Sequence, residues 1–351
     1  MSDFLVAIDL AKNVFELAVA DESGAILERR RLGRTQFMRF FENRSFRRVA
    51  MEACGSSHHW GRWFMARGFE VSLLPPHYVR AYVRRNKTDR ADVTAILEAA
   101  KATDIIPVRV KSVEQQALQS LHRLRSAWHS ARTARINTLR GLCREFGVIA
   151  PLGAKRGIAE LGRQVADPDS AVPDLLRRAL RQLLAEIRSL EESVHAIEAE
   201  LAQIAAQSEA CMRLRTIPGV GLIAATAIVG AVGDIGRFRN GRCFASWLGL
   251  TPREHSSGDI RRLGSITKRG DKYLRTLLVH GSRAVIMSAN AAQRKGQPLG
   301  AFRQWASETR LRCGHNKANI AVANKVARII WATWYRQRDF EFRAPAVALA
   351  A

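Results

Sequence analysis

Short apolar segments alternate with helical segments over the first 110 residues, and this pattern most limits what the chain can fold into. Three runs of strand length come first, and each later run is followed by a helical pattern. This order is typical of an α/β domain with a mixed sheet. We predict strands at 4–8, 14–20, 26–32, 48–52 and 71–74, helices at 36–41, 58–66 and 89–102, and an extended segment at 105–110.

Four acids stand where these segments begin or end. Asp9 closes the first strand and Glu52 the fourth, while Asp89 and Asp92 share one face of a helix start. Each acid alone has an ordinary explanation, as a turn residue or as a complement to the helix dipole. Together they favour a set of oxygen ligands for Mg²⁺, as two-metal phosphoryl chemistry requires.

The charge of the chain favours a polyanionic partner. Its 351 residues include 56 Lys and Arg against 32 Asp and Glu, a net charge of +24 spread along the sequence. Nucleic acid is the first candidate and an acidic membrane surface the second. The five scattered cysteines form no CxxC pair, which indicates a reducing cytoplasm and argues against structural zinc. The N-terminus does not resemble a signal peptide, and the uncharged stretch 217–233 is too short to span a membrane.

Residues 111–207 are predicted to be long helices. Apolar residues alternate at spacings of four and three from Leu176 to Ile204, which predicts a coiled coil with the helix at 113–146, while 147–173 reads as a looser connection. A basic face on the first helix could follow a phosphate backbone or could simply be solvated. Its candidate contacts are Arg123, Arg125 and Arg132. The histidines His122, His129 and His195 have no ligand spacing and are expected at the surface or at phosphates.

Residues 208–340 form a third predicted region, mainly helical, followed by a flexible tail at 341–351. Its PGVG turn (residues 218–221) either binds a phosphate through backbone N–H groups or allows close helix packing. The polar loop 251–270 contains Ser256 and Ser257, and it either places a hydroxyl beside a phosphate or is a mobile surface loop. Nearby candidate phosphate contacts are Arg253, Lys268 and Arg269.

These motifs, taken together, resemble the DEDD transposases of the insertion-sequence-110 family, in its 1111 branch. The segments that carry the resemblance run in the family's order from about residue 4 to 285. They are AIDLAKNVFELAV, MEACGSSHHW, RNKTDRADVTAILEA, VKSVEQQALQSLHRLR, TIPGVG, LGLTPREHSSG and GSITKRGDKYLRTLLV.

The resemblance implies a RuvC-like, ribonuclease-H-type N-terminal domain that binds Mg²⁺, or alternatively Mn²⁺, through Asp9, Glu52, Asp89 and Asp92. It also implies a C-terminal transposase domain with a nucleophilic serine just before a glycine, which selects Ser257 and leaves Ser256 as the neighbouring alternative. Members of this family act as oligomers, expected to be tetramers. They recombine donor and target DNA under the guidance of a noncoding bridge RNA.

Two other functions remain open at this point. The chain could be a metal-dependent junction nuclease in which water attacks and Ser257 only binds phosphate. It could also be a non-catalytic nucleic-acid-binding protein whose acids serve as caps.

Overall fold

A computed structural model describes residues 2–42, 44, 46–83 and 88–341, and the chain divides into two compact units between Val113 and Glu114. The first unit alternates strands and helices. Its elements are β1 (Ser2–Leu10), β2 (Val14–Ala20), β3 (Ile26–Gly33), α1 (Arg34–Glu42), β4 (Phe46–Glu52), α2 (Ser57–Met65), β5 (Glu70–Leu74), α3 (Pro76–Val79) and α4 (Asp89–Lys101).

The five strands form one mixed sheet in the order β3-β2-β1-β4-β5. β1, β2 and β3 are antiparallel neighbours, whereas β4 runs parallel to β1 and β5 parallel to β4. The predicted α/β domain with a mixed sheet is therefore confirmed. The extended segment predicted at 105–110 does not form a full strand of the sheet, but Val108 forms an isolated antiparallel bridge with Leu73 on β5.

Each face of this sheet has its own core. On one face, Phe15 and Met51 pack with the aromatic side chains of α1 and α2, including Phe37 and Trp60. On the other face, small side chains such as Ala7 and Ala50 allow α4 to approach closely. Side chains alternate between the two faces along a strand. A residue that lies an even number of positions from Ala7 on β1, or from Ala50 on β4, therefore also faces α4.

The second unit is mainly helical. Its elements are α5 (Val113–Arg144, which begins one residue before the boundary), α6 (Ala154–Ala166), α7 (Asp174–Ala206), α8 (Glu209–Arg215), α9 (Leu222–Val232), α10 (Gly241–Trp247), β6 (Pro252–Glu254), β7 (Leu263–Ile266), α11 (Lys272–Arg294), α12 (Ala301–Cys313) and α13 (His315–Tyr335).

The long helices α5 and α7 are antiparallel, as three ion pairs show. Arg125 pairs with Glu198, Arg132 with Glu191 and Arg135 with Glu186, so residue numbers rise along one helix as they fall along the other. Residues of the predicted heptad stripe, including Leu180, Ile187, Val194 and Leu201, are buried. The predicted pairing of these two helices is therefore confirmed and its direction is antiparallel, whereas a supercoiled geometry stays a prediction.

Three local predictions need correction or lie outside the described residues. The connection predicted at 147–173 contains the helix α6, and the loop predicted at 251–270 contains the two-stranded hairpin of β6 and β7. The tail that is predicted to be flexible begins at Glu341, but its remaining residues lie outside the described part of the chain. Residues 85–87, at the start of the segment RNKTDRADVTAILEA, lie outside it as well.

The PGVG turn packs tightly against α11. Gly219 has φ +86, and a Cβ added there would lie 2.7 Å from the carbonyl oxygen of Gly281. A Cβ added at Gly281 would lie 2.0 Å from the carbonyl oxygen of Gly219. Glycine at both positions therefore allows the close helix packing that was one of the two explanations for this motif. None of the described helices is both long and apolar enough to cross a bilayer.

Candidate active site

Strand register brings Asp9 and Glu52 side by side. Ile8 pairs with Met51 in the parallel β1–β4 ladder, so the next residues on the two strands are these two acids. Asp9 lies two residues after Ala7, and Glu52 two residues after Ala50, which places both side chains on the α4 face of the sheet. Both acids are half-buried at the carboxyl ends of adjacent strands.

Helix α4 brings the other two acids to the same end of the sheet. Thr88 caps the helix by accepting a hydrogen bond from the backbone N–H of Ala91, and Asp89 and Asp92 follow in the first turn. Burial of Val93, Ile96 and Leu97 against the strands fixes the helix on this face. The four acids predicted from the sequence thus come together around one edge of the sheet.

The pKa of Asp9 reflects the other carboxylates around it. Its pKa rises from 3.8 to about 6, first because of burial and then because of repulsion by Asp92, Asp89, Glu52 and Glu16. A carboxyl group surrounded by four others retains its proton more readily, and it would equally favour a cation in the proton's place.

The donor set suits a hard divalent cation. All four acids offer carboxylate oxygens, the ligand type that Mg²⁺ and Mn²⁺ prefer. Among the described residues, no three His, Cys, Asp or Glu side chains stand close enough to ligate one ion together. The carboxylates are within electrostatic range of Asp9, and side-chain rotation would have to bring their oxygens to about 2.1 Å from a bound Mg²⁺.

A pH dependence of stability follows from Asp9. Between pH 3.8 and about 6 the folded chain holds this proton more tightly than the unfolded chain, so stability falls as the pH rises through that interval. Asp9→Asn removes the ionisation. We therefore expect the variant to become more stable relative to the wild type as the pH rises. Measured in EDTA, the melting temperature of the variant minus that of the wild type should increase from pH 4 to pH 7. A difference independent of pH would contradict this prediction.

The predicted serine lies at the tip of the β6–β7 hairpin. Ser257 and Ile260 exchange backbone hydrogen bonds, so Gly258 and Asp259 form a two-residue turn. Gly258 has φ +55 and Asp259 has no positive φ, as in a type II′ turn with glycine in its first position. A glycine directly after Ser257 is therefore a requirement of the turn that presents this residue.

The two adjacent serines differ in their hydrogen bonds. The Ser256 hydroxyl donates to Glu254 Oε1 at 2.8 Å and accepts from the backbone N–H of Arg262 at 3.2 Å. The Ser257 hydroxyl has no such partner among the described residues, and its side chain is exposed. Ser256 thus stabilises the hairpin, whereas Ser257 presents a free hydroxyl.

Two glycines form the base of this hairpin. A Cβ at Gly249, which has φ +70, would lie 1.9 Å from the carbonyl oxygen of Arg269. A Cβ at Gly270, which has φ +85, would lie 1.9 Å from the carbonyl oxygen of Trp247. Arg275 donates to the carbonyl oxygens of Leu248 and Arg269, joining both ends of the hairpin to α11.

Gly249→Ala tests how strongly this base is fixed. The new Cβ would meet backbone atoms in a left-handed conformation, so we expect a loss of at least ~2 kcal/mol in the free energy of unfolding. Gly296→Ala is the matched control, because Gly296 also has positive φ but faces open space. Denaturant titration of both variants gives the comparison. Equal losses would show that the contact at Gly249 contributes nothing.

The predicted nucleic-acid contacts fall into two groups. Arg125 and Arg132 are mostly buried in ion pairs with α7, so their charges are already matched within the helix pair. Arg123 is exposed beside a pocket of about 610 Å³ that it shares with Lys272. The others, Arg253, Lys268 and Arg269, are exposed around the serine hairpin.

Sequence reasoning missed Glu16 and misplaced His122. Glu16 pairs with Asp9 across β1 and β2, a register that the short turn at 11–13 already suggests. His122 was expected at the surface but is buried, with Nδ1 3.2 Å from the Tyr273 hydroxyl and Nε2 3.1 Å from the Thr226 hydroxyl. Burial lowers its pKa to about 4, which keeps the ring neutral.

Two family models match this chain. A DEDD transposase model of the IS110 type matches residues 6–147, which contain all four acids. A second model, described as "Transposase IS116/IS110/IS902 family", matches residues 211–297, which contain the serine hairpin.

Curated relatives match over nearly the whole length. A probable family 20 transposase of Pseudomonas aeruginosa is 41% identical over 333 residues, covering 95% of this chain and 97% of that protein. The transposase for insertion sequence element IS1111A of Coxiella burnetii is 39% identical over 337 residues, covering 96% and 91%. The pilin gene-inverting protein of Moraxella bovis is 25% identical over 365 residues, covering 98% and 99%. With these relatives and with acids gathered at one sheet edge, the chain belongs to the IS110 family of DEDD transposases.

Proposed function

We propose that this transposase is a serine recombinase that exchanges DNA strands by two successive phosphoryl transfers. The observation that carries the proposal is the convergence of Asp9, Glu52, Asp89 and Asp92 on one face at the end of β1 and β4. We also infer that the first unit is RuvC-like, of the ribonuclease-H type. Its five-stranded mixed sheet, with α4 bringing two acids to two strand ends, supports that assignment.

The four acids are the residues that would hold Mg²⁺ or Mn²⁺. A divalent ion bound there would supply positive charge to the scissile phosphate and to the departing oxygen. The acids themselves position that charge, because Asp9 and Glu52 are on rigid strands and Asp89 and Asp92 on an anchored helix turn.

Ser257 is the proposed nucleophile. Its Oγ bonds to phosphorus, the bond from phosphorus to the 3′ oxygen breaks, and a proton transfers from the hydroxyl to the departing oxygen. A 3′-hydroxyl of the partner DNA then attacks the phosphoserine, which returns the proton to Oγ and joins the strands without net hydrolysis. The free hydroxyl at the hairpin tip supports Ser257 over Ser256 for this role.

We further propose donor and target DNA as substrates and a noncoding bridge RNA as the guide, with the protein acting as a tetramer. The net charge of +24 suits two polyanions held at once. The protein would hold the guide RNA by its backbone and shape, which leaves sequence choice to base pairing. Ser257 and the acids belong to different units of the chain, so the proposed chemistry requires them to meet within one subunit or between two.

The test is to identify the covalent intermediate. The purified protein is incubated with Mg²⁺ and DNA carrying an element end, together with the RNA encoded beside it, and quenched under denaturing conditions. Trypsin would release the peptide EHSSGDIR, residues 254–261, and fragmentation would locate the nucleotide on Ser257. Cleaved DNA without any protein adduct would instead support the nuclease alternative, in which water attacks.

A further inference from the structure

A row of charged side chains extends the acid cluster across the sheet. Arg31 on β3 is the cross-strand neighbour of Glu16 on β2, and Glu16 is the cross-strand neighbour of Asp9 on β1. Glu52 is next to Asp9 on β4, so the row reads Arg31, Glu16, Asp9, Glu52 from the edge of the sheet inward. Because paired residues share a face, all four side chains are on the side that α4 covers.

The edge of this row opens into a groove of about 420 Å³. Its lining includes Arg29, Arg31, Arg90, Glu16, Thr88 and Asp89. Arg29 donates to Thr94 Oγ1 at 3.0 Å and to the carbonyl oxygen of Arg90 at 3.4 Å, which fastens β3 to the first two turns of α4. The groove is therefore a fixed feature of the fold, bounded by the strand that carries Arg31 and the helix turn that carries Arg90.

Two of its arginines form neither an ion pair nor a side-chain hydrogen bond within the described residues. Arg31 and Arg90 are exposed and form no ion pair within the described residues, although Glu16 directly faces Arg31 across the strands. Arg30, in contrast, pairs with Glu28. An arginine left unpaired beside carboxylates is available to an external anion, and its planar guanidinium matches the geometry of a phosphate.

Strand spacing sets the distance between these cations and the acids. β3 and β1 are separated by two interstrand spacings, or about 9.5 Å. Duplex DNA advances about 3.4 Å per nucleotide along its axis. Neighbouring phosphates of one strand are about twice that rise apart through space, because the backbone winds around the axis, so a phosphate held by Arg31 would be about one or two nucleotides from a phosphate at Asp9.

We propose that Arg31 and Arg90 form a phosphodiester-binding site that holds the reacting DNA strand about one or two nucleotides from the bond that is broken. The inference rests on the proposed function, since it takes the acid cluster as the place of reaction. The site offsets the repulsion that four or five carboxylates exert on an approaching phosphate. It also gives the strand a direction across the sheet, from Arg31 on the β3 edge toward Asp9 and Glu52 on the inner strands.

The experiment uses the full-length protein and duplex DNA carrying an element end, with binding measured over a range of salt concentrations in EDTA. Losing two phosphate contacts should lower the slope of log affinity against log salt by about 1.8 in the Arg31→Ala, Arg90→Ala variant. Hydroxyl-radical footprinting should show loss of protection about one or two nucleotides from the cleavage position. Lysine at both positions should restore part of the protection. Arg39→Ala, which removes an exposed charge from α1 on the opposite face, should leave this footprint unchanged.

Other outcomes would overturn the inference. Wild-type protection in the double variant would show that the groove does not hold DNA. If the variant instead lost affinity for the guide RNA alone, the phosphodiester bound there would be RNA and not the reacting strand. The Asp9→Asn protein should retain the footprint in EDTA. Recombination by Asp9→Asn would contradict the proposed function but would not contradict the binding of DNA in the groove.

Discussion

Ser257→Ala is expected to abolish both the covalent protein–DNA adduct and strand transfer, while Ser256→Ala retains both at a reduced level. The first variant removes the only atom proposed to bond to phosphorus, so its rate should fall by at least about three orders of magnitude. The second removes a hydroxyl bonded to Glu254 and to the backbone of Arg262, which loosens the hairpin without removing the nucleophile.

The assay separates adduct formation on denaturing gels from joined product measured by amplification across the new junction. Ser257→Cys is a useful third variant. A thiolate can also attack phosphorus, but the second transfer must then break a phosphorus–sulfur bond, so the ratio of adduct to joined product should change. Cleavage that persists in Ser257→Ala would identify the chain as a nuclease. An adduct that disappears only in Ser256→Ala would identify Ser256 as the nucleophile.

The double variant Asp9→Asn, Asp92→Asn should lose strand transfer to a similar extent. Each asparagine preserves the shape of the side chain and removes one negative charge, so the site would keep two of its four charged acids. A divalent ion contributes several kcal/mol to transition-state stabilisation, and about 4 kcal/mol corresponds to a rate loss of about three orders of magnitude.

Binding and stability provide readouts besides activity. Mg²⁺ should raise the melting temperature of the wild type and have little effect on the double variant, since a ligand stabilises only the state that binds it. Recombination that survives both substitutions would support the non-catalytic alternative. Mixing the double variant with Ser257→Ala should restore part of the activity if acids and serine meet between subunits, and none if each subunit supplies its own complete site.

Much of the first unit was predictable because its signals are local. The strand at Val14–Ala20 was predicted with its observed bounds, and the acids at 9 and 52 follow short apolar runs that are typical of strands buried in a sheet. Pairing is different, because it depends on the register between two strands and not on a pattern within one of them. Glu16 was missed for that reason: its position beside Asp9 depends on the β1–β2 register, although both strands had been recognised.

The second unit shows where sequence patterns mislead. Helix α6 lies in the segment predicted to be a looser connection, because Gly157 and Gly162 interrupt its apolar pattern, yet Leu161 and Val165 are buried against neighbouring helices. The serine hairpin has no apolar alternation, since its strands are almost fully exposed, and so it resembled a mobile loop. His122 is buried because a tyrosine and a threonine from two other helices satisfy its ring, which no local pattern records.

The placement of arginines on β3 has a consequence for self-association. An exposed edge strand presents unpaired backbone groups that can add a strand from another copy, and charged side chains are a common protection against this. Three consecutive arginines, at positions 29–31, would meet the same three in any second copy aligned edge to edge. At the opposite edge, the bridge between Leu73 and Val108 already occupies part of β5. Both edges of the sheet therefore disfavour the addition of a strand from a second copy, and the helices and loops remain as the surfaces through which the proposed oligomer would form.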